Sequence, residues 1–175
     1  MSEIKELSIP DVKVYTPSVH EDERGFFYES YNEDFFIQNI FPGIRFVQDN
    51  HSFSRKGVLR GMHFQETPFC QGKLVRVISG SVFDVAVDIR KDSRTYLNWV
   101  SDEISAKNKK QIWIPEGFAH GFLALEDNTE LLYKTTNYYS KKHEKILSYN
   151  DKRVNIKWPK MDYIINSRDS ALYSV

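Results

Sequence analysis

Arg60, His63, Gln65 and Lys73 fall within one stretch, Gly57 to Gly80, among strand-forming residues. A histidine titrates near working pH and can take or give a proton. The cations beside it need an anionic partner, because an unpaired buried charge is costly. The combination points to a proton-transfer site that holds a negatively charged ligand. Parity poses a difficulty, since a regular strand sends Arg60 and His63 to opposite faces. Gly57 and Gly61 are placed where a bulge would bring both to one side. Taken singly, each residue has a plainer reading. His63 suits a hydrogen-bonded core histidine, Lys73 a solvated strand end, and Asp169 a loose segment late in the sequence. Asp84 or Asp88 would serve as well to orient a histidine. His51 reads as structural, and Cys70, in a polar loop with no base beside it, as inert.

The elements that must position these groups are short. Ile9 to Tyr15 alternates and predicts a strand. Phe26 to Tyr31 predicts another, after a polar turn at residues 22–25. Asn32 caps a short helix over Glu33 to Asn39, closed off by Pro42 and Gly43. Ile44 to Ser54, which carries Gln48, Asp49, Asn50 and His51 amid apolar neighbours, reads as a strand with a polar face. Lys73 opens a run that Gly80 turns into a hairpin partner, Ser81 to Ile89. Thr95 to Ile104 and Glu130 to Tyr139 follow as strands. Between them a turn at residues 108–110 leads into Gln111 to Pro115, and Gly117 to Leu125 holds His120 between Phe118 and Phe122. The segment from Asp151 suits a short helix and a final strand. Short strands at regular spacing with turn signals between them mean a sandwich or barrel. Two sheets closing a pocket describe a jelly roll, of which the cupin is one form.

The bulk numbers narrow the function. The 175 residues suit one domain, 1–175, with a real core. Basic and acidic residues balance at 24 each, which argues against nucleic acid and against a polybasic membrane patch. One cysteine forms no disulfide framework within the chain, so a reducing cytoplasm is the expectation. No stretch approaches the ~20 apolar residues of a membrane span.

Cupins carry Gly, five residues, His-x-His, then a Glu six residues before a Gly, and later Pro-x-Gly-x-x-His. Here Gly57 and His63 match, the second histidine is Gln65, and the glutamate is Lys73. The later motif stands as Pro115-x-Gly117-x-x-His120. Two of four metal ligands are gone, and an ammonium has no lone pair for a metal. The pattern therefore looks converted from holding a cation to holding an oxyanion, with no metal and no other cofactor.

The rewritten motif and its surroundings closely resemble the dTDP-4-dehydrorhamnose 3,5-epimerase family. The matching pieces include Asp22-Glu-Arg-Gly-Phe-Phe with Glu29, Phe46-Val-Gln-Asp-Asn-His-Ser, Gly57-Val-Leu-Arg-Gly-Met-His-Phe-Gln and Lys73-Leu-Val-Arg-Val. They continue through Asp84-Val-Ala-Val-Asp-Ile-Arg, Trp113-Ile-Pro-Glu-Gly-Phe-Ala-His-Gly-Phe, Tyr133-Lys-Thr-Thr-Asn-Tyr-Tyr and Ser167-Arg-Asp. The chain departs from the family at Met62 and Phe64 around His63, at Arg168 for a usual lysine, and at Tyr149-Asn150 for a usual Trp-Asp.

The resemblance implies an all-β cupin-like fold and a nucleotide-linked 4-keto-6-deoxy sugar as substrate. The C4 ketone acidifies the hydrogens on C3 and C5. His63 would be the base, oriented by Asp169 as in a His-Asp pair. Lys73 would stabilise the enolate oxygen, and Tyr133 would protonate the opposite face. Arg24, Glu29, Gln48, Asn50, Arg60, His120, Glu144 and Arg168 would contact nucleotide, pyrophosphate or sugar. Tyr139 would stack on the base, with Tyr138 its rival. The resemblance also implies a homodimer formed by exchange of an amino-terminal strand, in a route to a surface sugar. The alternatives are a single-centre C3 or C5 epimerase on another nucleotide sugar such as a GDP-4-keto-heptose, a metal-dependent cupin, and a non-catalytic sugar binder.

Overall fold

The computed structural model describes residues 1–170, where the alternating runs become thirteen strands and one helix. They are β1 (Glu3–Glu6), β2 (Lys13–Thr16), β3 (His20–Asp22), β4 (Gly25–Phe27), α1 (Glu33–Asn39), β5 (Gln48–Ser54), β6 (Leu59–Gln65) and β7 (Lys73–Ser79). Then come β8 (Ser81–Asp88), β9 (Trp99–Ser105), β10 (Gln111–Ile114), β11 (Phe118–Ala124), β12 (Thr129–Thr135) and β13 (Glu144–Ile146).

Two antiparallel sheets face each other. One has six strands in the order β1-β2-β10-β7-β12-β5, the other five in the order β13-β6-β11-β8-β9. Between them lies an apolar plug to which both contribute, with Val75, Val77, Ile112 and Leu131 from the first sheet and Val82, Ala86, Phe118 and Phe122 from the second. The far face of the six-stranded sheet is covered by α1, whose Phe36 packs with Tyr15, Phe41 and Trp113. The far face of the other carries Met62, Val85, Val87 and Ala119 against Leu147 and Val154. This is the cupin-like jelly roll that the strand spacing predicts.

α1 occupies the expected residues because Asn32 caps it, its side chain accepting from the N–H of Phe35 at 3.1 Å. Several strands are shorter than expected, for local reasons. β2 starts at Lys13 because Val12 N–H bonds the carbonyl of Ile9 in a turn that leads back to β1. β1 was not foreseen. Its sequence, Glu-Ile-Lys-Glu, is that of a charged edge strand without a clear buried face. Likewise β4 ends at Phe27 and β5 begins only at Gln48. β9 starts at Trp99 because the chain first wraps around the Asp88 carboxylate, which accepts from Arg90, Ser93 and Thr95. β12 stops at Thr135, whose hydroxyl donates to the carbonyl of Asn137 and bends the chain out of the sheet.

Two expectations need correction. β7 and β8 are not a hairpin pair. β7 has β10 and β12 on its two edges, β8 has β11 and β9, and Gly80 carries the chain from one sheet to the other. The segment after Asp151 forms no helix in its described part, because its polar side chains cap turns instead, and Ile164 makes a single parallel bridge with Val58. The share of the expected final strand that falls on residues 171–175 lies outside the described residues.

Candidate active site

A pocket of about 220 Å³ opens between the sheets, and each wall brings its own residues. β6 and β11 supply Arg60, His63 and His120, and β13 supplies Glu144. The facing sheet supplies Ser52, Lys73 and Tyr133 from β5, β7 and β12. Tyr139 and Arg168 complete the lining from connecting segments.

The parity difficulty is resolved by a bulge. His120 lies opposite His63 and Phe122 opposite Arg60, so Gly61 and Met62 together face the single residue Gly121. Met62 points to the far side of the sheet and is fully buried, while Arg60 and His63 share the pocket wall. Gly61 adopts φ +128°, and a Cβ there would fall 2.5 Å from the Cα of Gly121. Only glycine fits that close approach.

His63 meets Asp169, with Nε2 2.7 Å from Oδ1. The carboxylate is fully buried, and its other oxygen accepts the Gly61 N–H at 3.2 Å. Burial works to raise the Asp169 carboxyl, but the bonds from His63 and Gly61, with Arg168 nearby, hold it below its ordinary value. Asp169 gets there because Ile164 is clamped between Gly57 and Leu59 by backbone bonds of 2.8 and 3.0 Å. Sequence reasoning left Asp169 open to being part of a loose segment. Its partner on β6 instead fixes it.

Across the strand from His63, Nε2 of His120 donates to both oxygens of Asp84, at 2.9 and 3.0 Å. Burial pulls the His120 imidazole below its usual value, against the pull of Asp84. Asp84 thus orients a histidine, but His120 rather than His63. Asp88 is taken by Arg90.

Lys73 is not a solvated strand end. It is 8% exposed, and its Nζ donates to the carbonyl of His63 at 3.3 Å. Burial brings the ammonium down to about 8, with Asp84 and Glu144 opposing. Burial pushes the Tyr133 phenol up, Glu144 adds to this, and Arg60 opposes it. The phenol therefore stays protonated at neutral pH.

Glu144 accepts from Arg168 at 2.9 and 3.0 Å and from the hydroxyl of Tyr139 at 2.8 Å. Arg60 is aimed by Ser54 and the carbonyl of Phe53. Gln48 and Asn50 bond each other at 2.9 Å, and Gln48 accepts the N–H of Tyr139 at 3.2 Å. Tyr139 lines the pocket, whereas Tyr138 is more exposed and does not. Arg24 and Glu29 lie elsewhere. Arg24 sits at the β3–β4 turn and pairs with Asp22, and Glu29 borders a separate cleft with Tyr15 and His20. His51 is a surface partner of Glu130.

Sequence reasoning missed Ser52, Phe64, Gln71, Gly121 and Phe122 among the lining residues. Ser52 continues the alternation of Gln48 and Asn50, a signal that was available. Its hydroxyl is buried with no hydrogen-bond partner among the described residues. A smaller cleft, lined by Tyr31, Arg76 and Lys134, contains no histidine.

The arrangement offers a histidine with one nitrogen occupied, a cation within the pocket, and a phenol entering from the facing sheet. The family model described as dTDP-4-dehydrorhamnose 3,5-epimerase matches residues 6–175. The chain belongs to that family. The family member from Shigella flexneri is 54% identical over 161 residues, spanning 92% of this chain and 89% of the relative. The one from Salmonella typhimurium is 57% identical over 152 residues, spanning 87% and 83%. Among solved structures, dTDP-6-deoxy-D-glucose-3,5-epimerase from Legionella pneumophila, in complex with dTDP-4-keto-L-rhamnose, superposes with a TM-score of 0.95. It is 44% identical and covers 98% of this chain and 92% of that one. As a 3,5-epimerase family member the chain is an isomerase.

Proposed function

We propose that the protein inverts C3 and C5 of dTDP-4-keto-6-deoxyglucose in deoxysugar biosynthesis. The observation that carries this reading is the buried ammonium of Lys73 beside His63, in a pocket that Tyr133 enters from the facing sheet. Because Nε2 of His63 donates to Asp169, the lone pair sits on Nδ1. His63 takes the proton from C5 or C3, and the electron pair moves into an enolate whose oxygen Lys73 stabilises. Tyr133 returns a proton from the other side, the ketone re-forms, and the configuration is inverted without net oxidation. Asp169 keeps the imidazole in the working tautomer.

Arg60 suits the pyrophosphate, as a fork held in place by its backbone and serine partners. His120, braced by Asp84, presents its remaining edge to the sugar. Glu144 and Arg168 tie the base end to the catalytic end, and Tyr139 stacks on the base, with Gln48 and Asn50 beside it. Arg24 and Glu29 fit this scheme through a homodimer. The β3–β4 hairpin leaves Phe26 and Phe27 exposed at 56% and 69%, a surface suited to a second copy. We place the enzyme in the cytoplasm as one domain over 1–175. No described helix is long and apolar enough to cross a membrane.

The test is turnover of dTDP-4-keto-6-deoxyglucose in heavy water, read by NMR. Deuterium at both C3 and C5 with inversion is expected. Label at one carbon only would make the protein a single-centre epimerase, and no label at either would refute epimerase activity. Sedimentation of the free protein tests the dimer.

A further inference from the structure

Gln65 stands where the cupin pattern has its second histidine, and none of the roles above uses it. Its side chain is 8% exposed, and both ends of its amide are occupied. Nε2 donates to the carbonyls of Phe69 at 3.1 Å and Tyr138 at 3.3 Å. Oε1 accepts the N–H of Ser140 at 2.6 Å. These partners belong to two segments beside the pocket, one following β6 and one following β12. Removing the amide would leave two part-buried carbonyls and an N–H without this partner.

The braced groups bracket Tyr139. Gln65 holds the carbonyl before it and the N–H after it, so the peptide planes on both sides are fixed. The N–H of Tyr139 goes to Gln48 and its hydroxyl to Glu144. The ring itself is 48% exposed, so packing alone holds it weakly and the backbone anchors decide where it points.

We propose that Gln65 is a positioning residue that sets the ring of Tyr139 as a platform for the aromatic base of the nucleotide. This rests on the reading of Tyr139 given above. The position that holds a metal in the cupin pattern orders the nucleotide end of the site here.

Calorimetric titration with dTDP tests this without turnover. Gln65→Leu keeps the bulk and removes all three bonds. It raises the Kd for dTDP about tenfold or more, within the range of one lost base–aromatic stack. KM for the 4-keto sugar rises by a larger factor than kcat falls. In a Tyr139→Ala background the same change alters Kd by less than about twofold, because the two residues act as one element. Gln65→Glu keeps the acceptor for Ser140 but turns an anionic oxygen toward two carbonyls. It weakens dTDP as well, and serves if the leucine variant does not fold.

A Kd within about threefold of the wild type in a folded variant overturns the assignment. So does an additive effect in the Tyr139→Ala background, or loss of fold in both variants, which would make Gln65 a determinant of the fold. A wild type that binds dTDP but exchanges no hydrogen of the 4-keto sugar refutes the epimerase reading alone, and the Gln65 assignment is still read from Kd. A wild type that does not bind dTDP refutes both.

Discussion

Asp169 Oδ1 lies 2.7 Å from Nε2 of His63, though 106 positions separate the two in the chain. The carboxylate fixes which imidazole nitrogen carries the proton. Asp169→Asn keeps the shape but offers an amide that is equally content with the wrong tautomer. Single-turnover assays should show a loss of about 10²- to 10⁴-fold in the chemical step, as for other His-Asp pairs. Binding of dTDP should persist.

The same pair gives a stability signature. The folded Asp169 carboxyl is held below its ordinary value, so its contribution is present above the unfolded carboxylate range and is lost as pH falls through the folded value. Melting temperature followed from neutral to acid pH should fall less steeply in Asp169→Asn than in the wild type.

Lys73 gives a pH dependence of the same sense, but as a cost at neutral pH rather than a gain. Its ammonium titrates at about 8 in the folded protein and at 10.5 when free. The unfolded chain binds the extra proton between those values, so stability rises with pH across that window. Below about pH 8 the buried cation costs roughly 3 kcal/mol. Lys73→Met removes that cost and should raise the melting temperature, while activity falls about 10²-fold or more through loss of the enolate partner. A lower melting temperature would show that the ammonium is better paired than its surroundings indicate.

The activity of the free enzyme should carry the same titration. kcat/KM should decline as pH rises through about 8, where Lys73 loses its proton. Residual activity of Lys73→Arg should lack this alkaline limb, because a guanidinium stays charged.

Tyr133→Phe should reduce net inversion more than hydrogen washout, since His63 can still remove and return protons on its own side. NMR in heavy water reads both quantities in one sample. Equal loss of both would remove Tyr133 as the acid of the opposite face.

Gly61→Ala places a methyl against the backbone of Gly121 at a positive φ that alanine rarely adopts. The bulge must open or the strands must separate. We expect a loss of about 2–4 kcal/mol in denaturant titrations, and reduced activity even where the protein folds.

Much of this was legible from residue types. The glycines around His63 announced the bulge, and Lys73 in place of a glutamate announced a cationic pocket. Asn32 and the residues after it marked α1 to the residue. The sheet assignment of β7 and β8 was not legible. Gly80 between two apolar runs suits a tight hairpin and an arch between sheets equally, and strand partners far along the chain decide between them. Nor was the partner of Asp84 readable, because period-two alternation gives a face and not the neighbour across it. Ser52 could have been found by extending the parity of Gln48 and Asn50 by two residues.

The apolar plug between the sheets has a consequence for which sugar the site accepts. His63 and Tyr133 stand on opposite walls, and Tyr133 packs directly against that plug. The bulk of Val75 and Leu131 behind Tyr133 therefore sets how far the phenol stands from the His63 wall. Leu131→Val should shift the phenol and change the ratio of deuterium entering C3 and C5, which NMR in heavy water reads directly.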